Sequence, residues 1–280
     1  FYGLPLAIRA GVRCTVTSRH NDDAFRYNPV FRVINRLVMS DASRVIVISG
    51  ALKRFVTSVE GIPPAKVRIV RYGIESEPPP AGVRDRARAR LGYDSDTPLV
   101  GFVGRLVRQK GADVLLEAFT RILQHTPRAR LFIAGDGPLR AELERQAWSL
   151  MPGDRVRFLG WVDNANELMP AADVLAIPSR WEGFGLVTLE AMRYAVPLVA
   201  SRVTALPEIV VDGQTGLLVE PDSPEQLAGA LQTLLDNPAQ ADAYGKAGQR
   251  RLLDEFSVDK MIAATAAVYE EALSIHTGDT

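Results

Sequence analysis

Leu99-Val100-Gly101-Phe102-Val103-Gly104-Arg105-Leu106-Val107-Arg108-Gln109-Lys110-Gly111-Ala112-Asp113-Val114-Leu115-Leu116-Glu117-Ala118-Phe119-Thr120-Arg121-Ile122 is the stretch that decides the fold class of this chain. Leu99 to Val103 is a short apolar run rich in β-formers, as in a strand covered on both faces. A glycine- and cation-bearing turn follows it. From Asp113 onward, Val114, Leu115, Ala118, Phe119 and Ile122 recur at i, i+3, i+4 spacing, which gives a helix one apolar face to bury against a sheet. A buried strand turning into an amphipathic helix is half of a βαβ unit, so parallel strands are expected around it.

The same alternation extends to both ends of the 280 residues. Strands are expected near Val12 to Thr17, Arg44 to Ser49, Val67 to Tyr72, Leu99 to Val103, Ala129 to Ala134, Val156 to Leu159, Asp173 to Ile177, Leu198 to Ala200 and Gly216 to Val219, with helices between. The fold class is α/β with parallel sheets. Pro78, Pro79 and Pro80 forbid helix and strand interiors, so a domain boundary is expected within Glu75 to Gly82. Residues 1–78 then form one domain and 79–256 a second, whose six strand candidates make a full doubly wound set. The first domain has only three candidates and the chain opens on Phe1 rather than Met, so an N-terminal domain whose first half lies outside this chain is the expectation.

Composition narrows the function classes. The 33 Lys+Arg balance 33 Asp+Glu, which argues against a dedicated nucleic-acid binder, whose phosphate contacts need surplus cations. Cys14 is the only cysteine, which excludes an intramolecular disulfide, a CxxC pair and a cysteine zinc site, and fits a reducing, cytoplasmic setting. No apolar run approaches the roughly 20 residues of a membrane helix, so any membrane contact is expected to be peripheral, at the inner face. Arg84, Arg86, Arg88 and Arg90 alternate along a short helix and read as a solvated face or, alternatively, as a docking strip for an anionic membrane.

Two turns carry candidate chemistry. In Gly101 to Gly111, glycine lets a ligand approach the backbone, Arg105 offers a planar fork for phosphate oxygens and Lys110 a mobile point charge. Together they suit a diphosphate; the plain alternative is that Gly101 and Gly104 relieve crowding and the cations are solvated. In Pro178 to Met192, Gly183 and Gly185 free the backbone before a helix whose N-terminus favours anions, with Glu182 in the loop and Glu190 about one turn inside. Two carboxylates flanking an anion site match the ribose, diphosphate and sugar of a nucleotide sugar. Asp94-Ser95-Asp96 has the form of a metal-binding D-x-D, but its place before Thr97-Pro98 reads as a solvent turn, and no metal site is expected.

Ser179 to Met192 resembles the E-x7-E element of retaining glycosyltransferases of the GT4 class, with Glu182 and Glu190 in its acidic positions. Gly104, Arg105, Lys110 and Gly111 resemble that family's G-R-x4-K-G segment. Ile133 to Pro138, Phe158 to Val162, Ala172 to Val174 and Leu206 to Val219 add further matches in order along nearly the whole chain. The resemblance implies a GT-B fold, with two Rossmann-like doubly wound domains, a nucleotide-sugar donor held mainly by the C-terminal one, and residues 257–280 as a crossover helix and tail.

By the same resemblance, Arg105 and Lys110 bind the donor diphosphate, Glu190 the ribose hydroxyls and Glu182 the transferred sugar. Gly104, Gly135, Val162, Gly183, Phe184, Gly185 and Leu186 line the donor, and His20, after the first strand, reaches over the donor sugar. Tyr72 stands where asparagine is frequent, and Thr204 where glycine is common. The implied reaction is retaining transfer of a sugar from a nucleoside diphosphate to a glycan, lipid or small-molecule acceptor, with the nucleotide sugar as substrate and no cofactor. A nucleotide-sugar-binding fragment without turnover and a GT-B epimerase or phosphorylase are the alternatives. An NAD-linked dehydrogenase is disfavoured, because no G-x-G-x-x-G opens either domain.

Overall fold

The computed structural model of the chain describes residues 3–21, 27–77 and 79–277; Pro78 of the expected boundary lies outside them. The chain divides into two compact units, Phe1–Glu75 with Phe256–Thr280, and Ser76–Glu255. In chain order the helices are α1 (Gly3–Arg9), α2 (Pro29–Ser40), α3 (Gly50–Ser58), α4 (Val83–Leu91), α5 (Ala112–His125), α6 (Arg140–Leu150), α7 (Leu186–Arg193), α8 (Leu206–Ile209), α9 (Pro224–Asp236), α10 (Pro238–Glu255) and α11 (Val258–Thr277). The strands are β1 (Val16–Arg19), β2 (Arg44–Val47), β3 (Val67–Ile69), β4 (Leu99–Val103), β5 (Arg130–Ala134), β6 (Val156–Gly160), β7 (Val174–Ile177), β8 (Leu198–Ser201) and β9 (Leu217–Val219). Among the described residues no helix is long and apolar enough to cross a membrane.

The first unit holds a parallel sheet in the order β1-β2-β3. β1 starts later than its apolar residues suggested: Val12 is 46% exposed, and pairing begins at Val16 opposite Arg44. At the end of β1, Arg19 donates to Asn35 Oδ1 at 2.8 Å, and Asn35 donates to the buried Glu60 carboxylate at 2.7 Å, so three polar side chains satisfy one another against α2. α11 covers the sheet, burying Val268 against Ile46 and Val70. Glu271 pins it there, accepting from Arg44 at 2.8 Å and from Arg68 Nε at 2.8 Å.

The second unit is a six-stranded parallel sheet in the order β6-β5-β4-β7-β8-β9. Counted from β4 this is the 3-2-1-4-5-6 order of a doubly wound sheet. β4 lies between β5 and β7 with its first four residues buried. Gly101 is glycine because a side chain there would come within 2.6 Å of the Phe132 ring and 2.8 Å of Leu175, so its reason is packing. On α5, Val114, Leu115, Ala118, Phe119 and Ile122 are buried as the spacing required, and burying a residue such as Phe119 stabilises by roughly 1.5–3 kcal/mol.

Of the α4 arginines, Arg88 alone departs from the solvated face expected of them. Arg88 is 3% exposed and donates to the carbonyls of Ala171, Asp94, Ser95 and Thr97 as well as to Asp173. Arg84 reaches Ala172 O and Asp173. Arg88 does not face solvent, because the carbonyl ends of the 94–97 turn need donors and the planar guanidinium supplies several at once, whereas Arg84, Arg86 and Arg90 are exposed as the alternation suggested. Asp96 is spent on Arg128 at 2.6 Å.

Candidate active site

In an open parallel sheet, ligand crevices form beyond the carboxyl ends of adjacent strands whose connections leave in opposite directions. Here those strands are β4 and β7, and the segments leaving them are the Gly104 to Gly111 and Pro178 to Gly185 turns. The first turn is anchored on the end of β5: Gly104 N–H donates to Ala134 O, and Leu106 N–H to Asp136 O. A side chain at Gly135 would lie 1.9 Å from Gly104 O, so the glycine there answers to this close approach of backbone. At Gly104 a Cβ would meet nothing nearer than 3.7 Å, so protein packing leaves that position open.

The two turns are tied together. A side chain at Gly111 would sit 2.1 Å from Pro178 O, so the backbones run in contact. Arg180 is the strut between them, its guanidinium donating to both oxygens of Asp113 at 2.9 and 2.8 Å, to Asp222 at 2.6 Å and to Arg108 O at 2.8 Å. Its own N–H donates to Gln109 O. Burial pushes the Asp113 carboxyl up, but the hydrogen bonds and charge of Arg180 outweigh it and hold its pKa below the ordinary value. Arg180 is raised in turn, first by its bond to Asp113.

The strut brings Lys110 and Glu182 together. Lys110 Nζ lies 2.8 Å from both Oε1 and Oε2 of Glu182, which is 7% exposed. A buried carboxylate has to be compensated, and Lys110 does so here. The Glu182 backbone is held as well, by Thr204 Oγ1 from the turn after β8. Arg105 differs: it is exposed, with no hydrogen bond or ion pair to its side chain among the described residues.

α7 begins at Gly185, whose φ of +94° is left-handed backbone, and any side chain there would press on Leu206 at 2.7 Å. Thr188 N–H closes the first turn on Gly185 O at 2.9 Å, and the Leu186 and Val187 amides that precede it suit an anion. Glu190 lies on α7, half-buried and without a hydrogen bond or ion pair among the described residues; burial pushes its pKa up. Ser179 Oγ and Thr188 Oγ1 are buried and also lack a hydrogen-bond partner among the described residues. Phe184 is buried, Gly183 and Val162 are part-exposed, and Leu186 is exposed.

His20 belongs to the first unit. Its Nδ1 lies 2.5 Å from Tyr72 Oη and its Nε2 2.9 Å from Ser18 Oγ, and its ring stacks on Tyr72 at 5.7 Å. Tyr72, in the position where asparagine is frequent, thus engages the histidine. Sequence reading missed Arg180, Asp113 and Asp222, because nothing local marks partners 42 to 67 residues apart. Among the described residues no group of three or more His, Cys, Asp or Glu could hold a metal.

Arg105, Lys110, Glu182 and Glu190 thus lie on the segments that leave β4 and β7 at the switch point of a doubly wound α/β sheet. The sequence model of the family described as glycosyl transferases group 1 matches residues 83–251, and the chain belongs to that family. It is 34% identical over 253 residues to alpha-maltose-1-phosphate synthase of Mycolicibacterium smegmatis, covering 85% of this chain and 65% of the relative. It is 35% identical over 266 residues to the GDP-mannose-dependent alpha-(1-6)-phosphatidylinositol monomannoside mannosyltransferase of the same organism, covering 90% and 69%. The chain therefore spans about two thirds of the length of these relatives. The crystal structure of Anabaena HepE in complex with UDP and glucose superposes with a TM-score of 0.84 at 24% identity, over 95% of this chain and 74% of that one. The fold is of the GT-B class, with two Rossmann-like units.

Proposed function

We propose that the second unit binds a nucleoside-diphosphate sugar and that the protein carrying this chain transfers the sugar, with retention at the anomeric carbon, to a glycan, lipid or small-molecule acceptor. The observation that supports this best is the Lys110–Glu182 pair at 2.8 Å in the switch-point crevice, beside an exposed Arg105 and the open N-terminus of α7. The donor exchanges partners with that pair: its diphosphate takes Lys110 and its sugar hydroxyls take Glu182. As the glycosidic bond breaks, the diphosphate gains charge, and Arg105, Lys110 and the amides near Gly185 stabilise it where it develops. No side chain here stands out as a covalent nucleophile, so attack comes from the same face, with a donor phosphate oxygen taking the acceptor proton. Glu190 accepts from the ribose hydroxyls.

The role implied for His20 at the sugar rests on resemblance alone and requires it to release Tyr72 or Ser18. A GDP-mannose-dependent relative and a neighbour that holds UDP and glucose point to the same donor class. The positive charge comes from the chain itself, without metal or cofactor, and the setting proposed is cytoplasmic. Melting-temperature shifts across UDP-, GDP- and ADP-sugars test donor binding, since a ligand at 100 times its Kd adds about 2.7 kcal/mol. In the full-length protein Arg105→Ala is expected to cut turnover at least about tenfold. Unchanged turnover would remove Arg105 from the mechanism.

A further inference from the structure

Thr204 sits in the turn after β8 with φ of +43°, left-handed backbone that a β-branched residue adopts only under strain. Glycine would relieve the strain but could not do what this side chain does. Oγ1 accepts the Glu182 N–H at 3.0 Å and donates to Glu182 O at 2.5 Å, so one hydroxyl satisfies both backbone groups of the buried glutamate. Gly183 follows immediately and Gly185 closes the loop, so the chain beyond Glu182 has little stiffness of its own. The carboxylate end is held by Lys110 alone among the described residues.

We infer that Thr204 is a positioning residue for the donor sugar: its hydroxyl fixes the Glu182 backbone so that the carboxylate stays on the sugar when Lys110 turns to the diphosphate. The inference rests on the donor-site reading above. While Lys110 holds both carboxylate oxygens, Glu182 is fixed at two points. Once the diphosphate competes for that cation, the bridge to Thr204 is the restraint that remains, and a shift of an ångström at a sugar contact is enough to lose the reactive geometry.

Three substitutions in the full-length protein separate the hydroxyl from the backbone strain. Thr204→Ser keeps the bridge, Thr204→Val keeps shape and strain without it, and Thr204→Gly removes both. Thr204→Ser is expected to retain kcat within about threefold, while Thr204→Val and Thr204→Gly lose about tenfold or more. Affinity for bare UDP, GDP or ADP is expected to stay within about twofold in all three, since phosphate contacts lie elsewhere. Thr204→Gly melts close to wild type, because relieved strain offsets the lost bonds, whereas Thr204→Val melts lower. A merely structural threonine would make activity follow melting temperature instead. Hydrogen exchange at the Glu182 amide is expected to quicken in the valine and glycine variants and stay slow in the serine variant.

Wild-type kcat in Thr204→Val or Thr204→Gly, or unchanged exchange at Glu182, overturns the inference and leaves the donor reading standing. A wild-type protein whose melting temperature responds to none of UDP-, GDP- and ADP-glucose, -mannose or -N-acetylglucosamine overturns the donor reading and the inference with it.

Discussion

Glu182 and Glu190 carry the same functional group within one loop and helix and meet opposite surroundings. Glu182 is compensated by a cation; Glu190 is half-buried with none bonded to it among the described residues, and burial raises its pKa. A carboxylate that accepts ribose hydroxyls best when ionised then loses its charge early as pH falls. Donor affinity is expected to weaken on acidification at a pH above the ordinary glutamate range, and Glu190→Gln to flatten that limb while weakening binding about tenfold at neutral pH. Calorimetric titration of the preferred nucleotide sugar across pH checks this; a profile that Glu190→Gln leaves unchanged removes Glu190 from the ribose. That Arg105, Lys110 and Glu182 lie on glycine-bearing turns after strands, and Glu190 on the helix that follows, was legible in the sequence. The direct pairing of Lys110 with Glu182 was not, since they stand 72 residues apart and only the fold brings them together.

At the scale of elements, apolar periodicity carried nearly everything: each strand expected from β4 to β9 is present, because buried parallel strands announce themselves as continuous apolar runs. Charge was the poorer guide. The arginines of α4 read as solvated, yet Arg88 is buried among carbonyls, and no local pattern shows which turn will need its donors. α11 offers a test of a charge that does anchor an element. Hydrogen bonds from Arg44, then Arg68, lower the Glu271 pKa from the ordinary 4.5 to about 2. A depressed carboxylate stabilises above its unfolded pKa and loses that contribution as pH falls through the folded one. Glu271→Gln is therefore expected to melt below wild type at neutral pH, with the gap narrowing from about pH 4.5 down to 2. Thermal melts followed by circular dichroism at several pH values read it out, and a gap constant down to that range would show that the ion pairs do not hold α11.

At the scale of the molecule, one unit is continuous in sequence and the other is assembled from two distant pieces. The six-stranded unit contains all its own strands between Ser76 and Glu255. The three-stranded unit borrows α11, and with it Val268, Ala272 and Glu271. A chain ending at Glu255 is expected to keep a nucleotide-responsive calorimetric transition and to lose the other one, with increased binding of a hydrophobic dye. Two intact transitions would show that β1 to β3 fold without their last helix.

The same division sets a timetable for synthesis. Arg44 leaves the ribosome 227 residues before its partner Glu271. At roughly 5–20 residues per second that interval is about 10 to 45 s. Through it the apolar residues Ile46 and Val70 await their cover, while the continuous unit has every strand it needs to mature. A stall late in translation would strand a nascent chain half finished and sticky, so the early segment is where a holding chaperone has most to do.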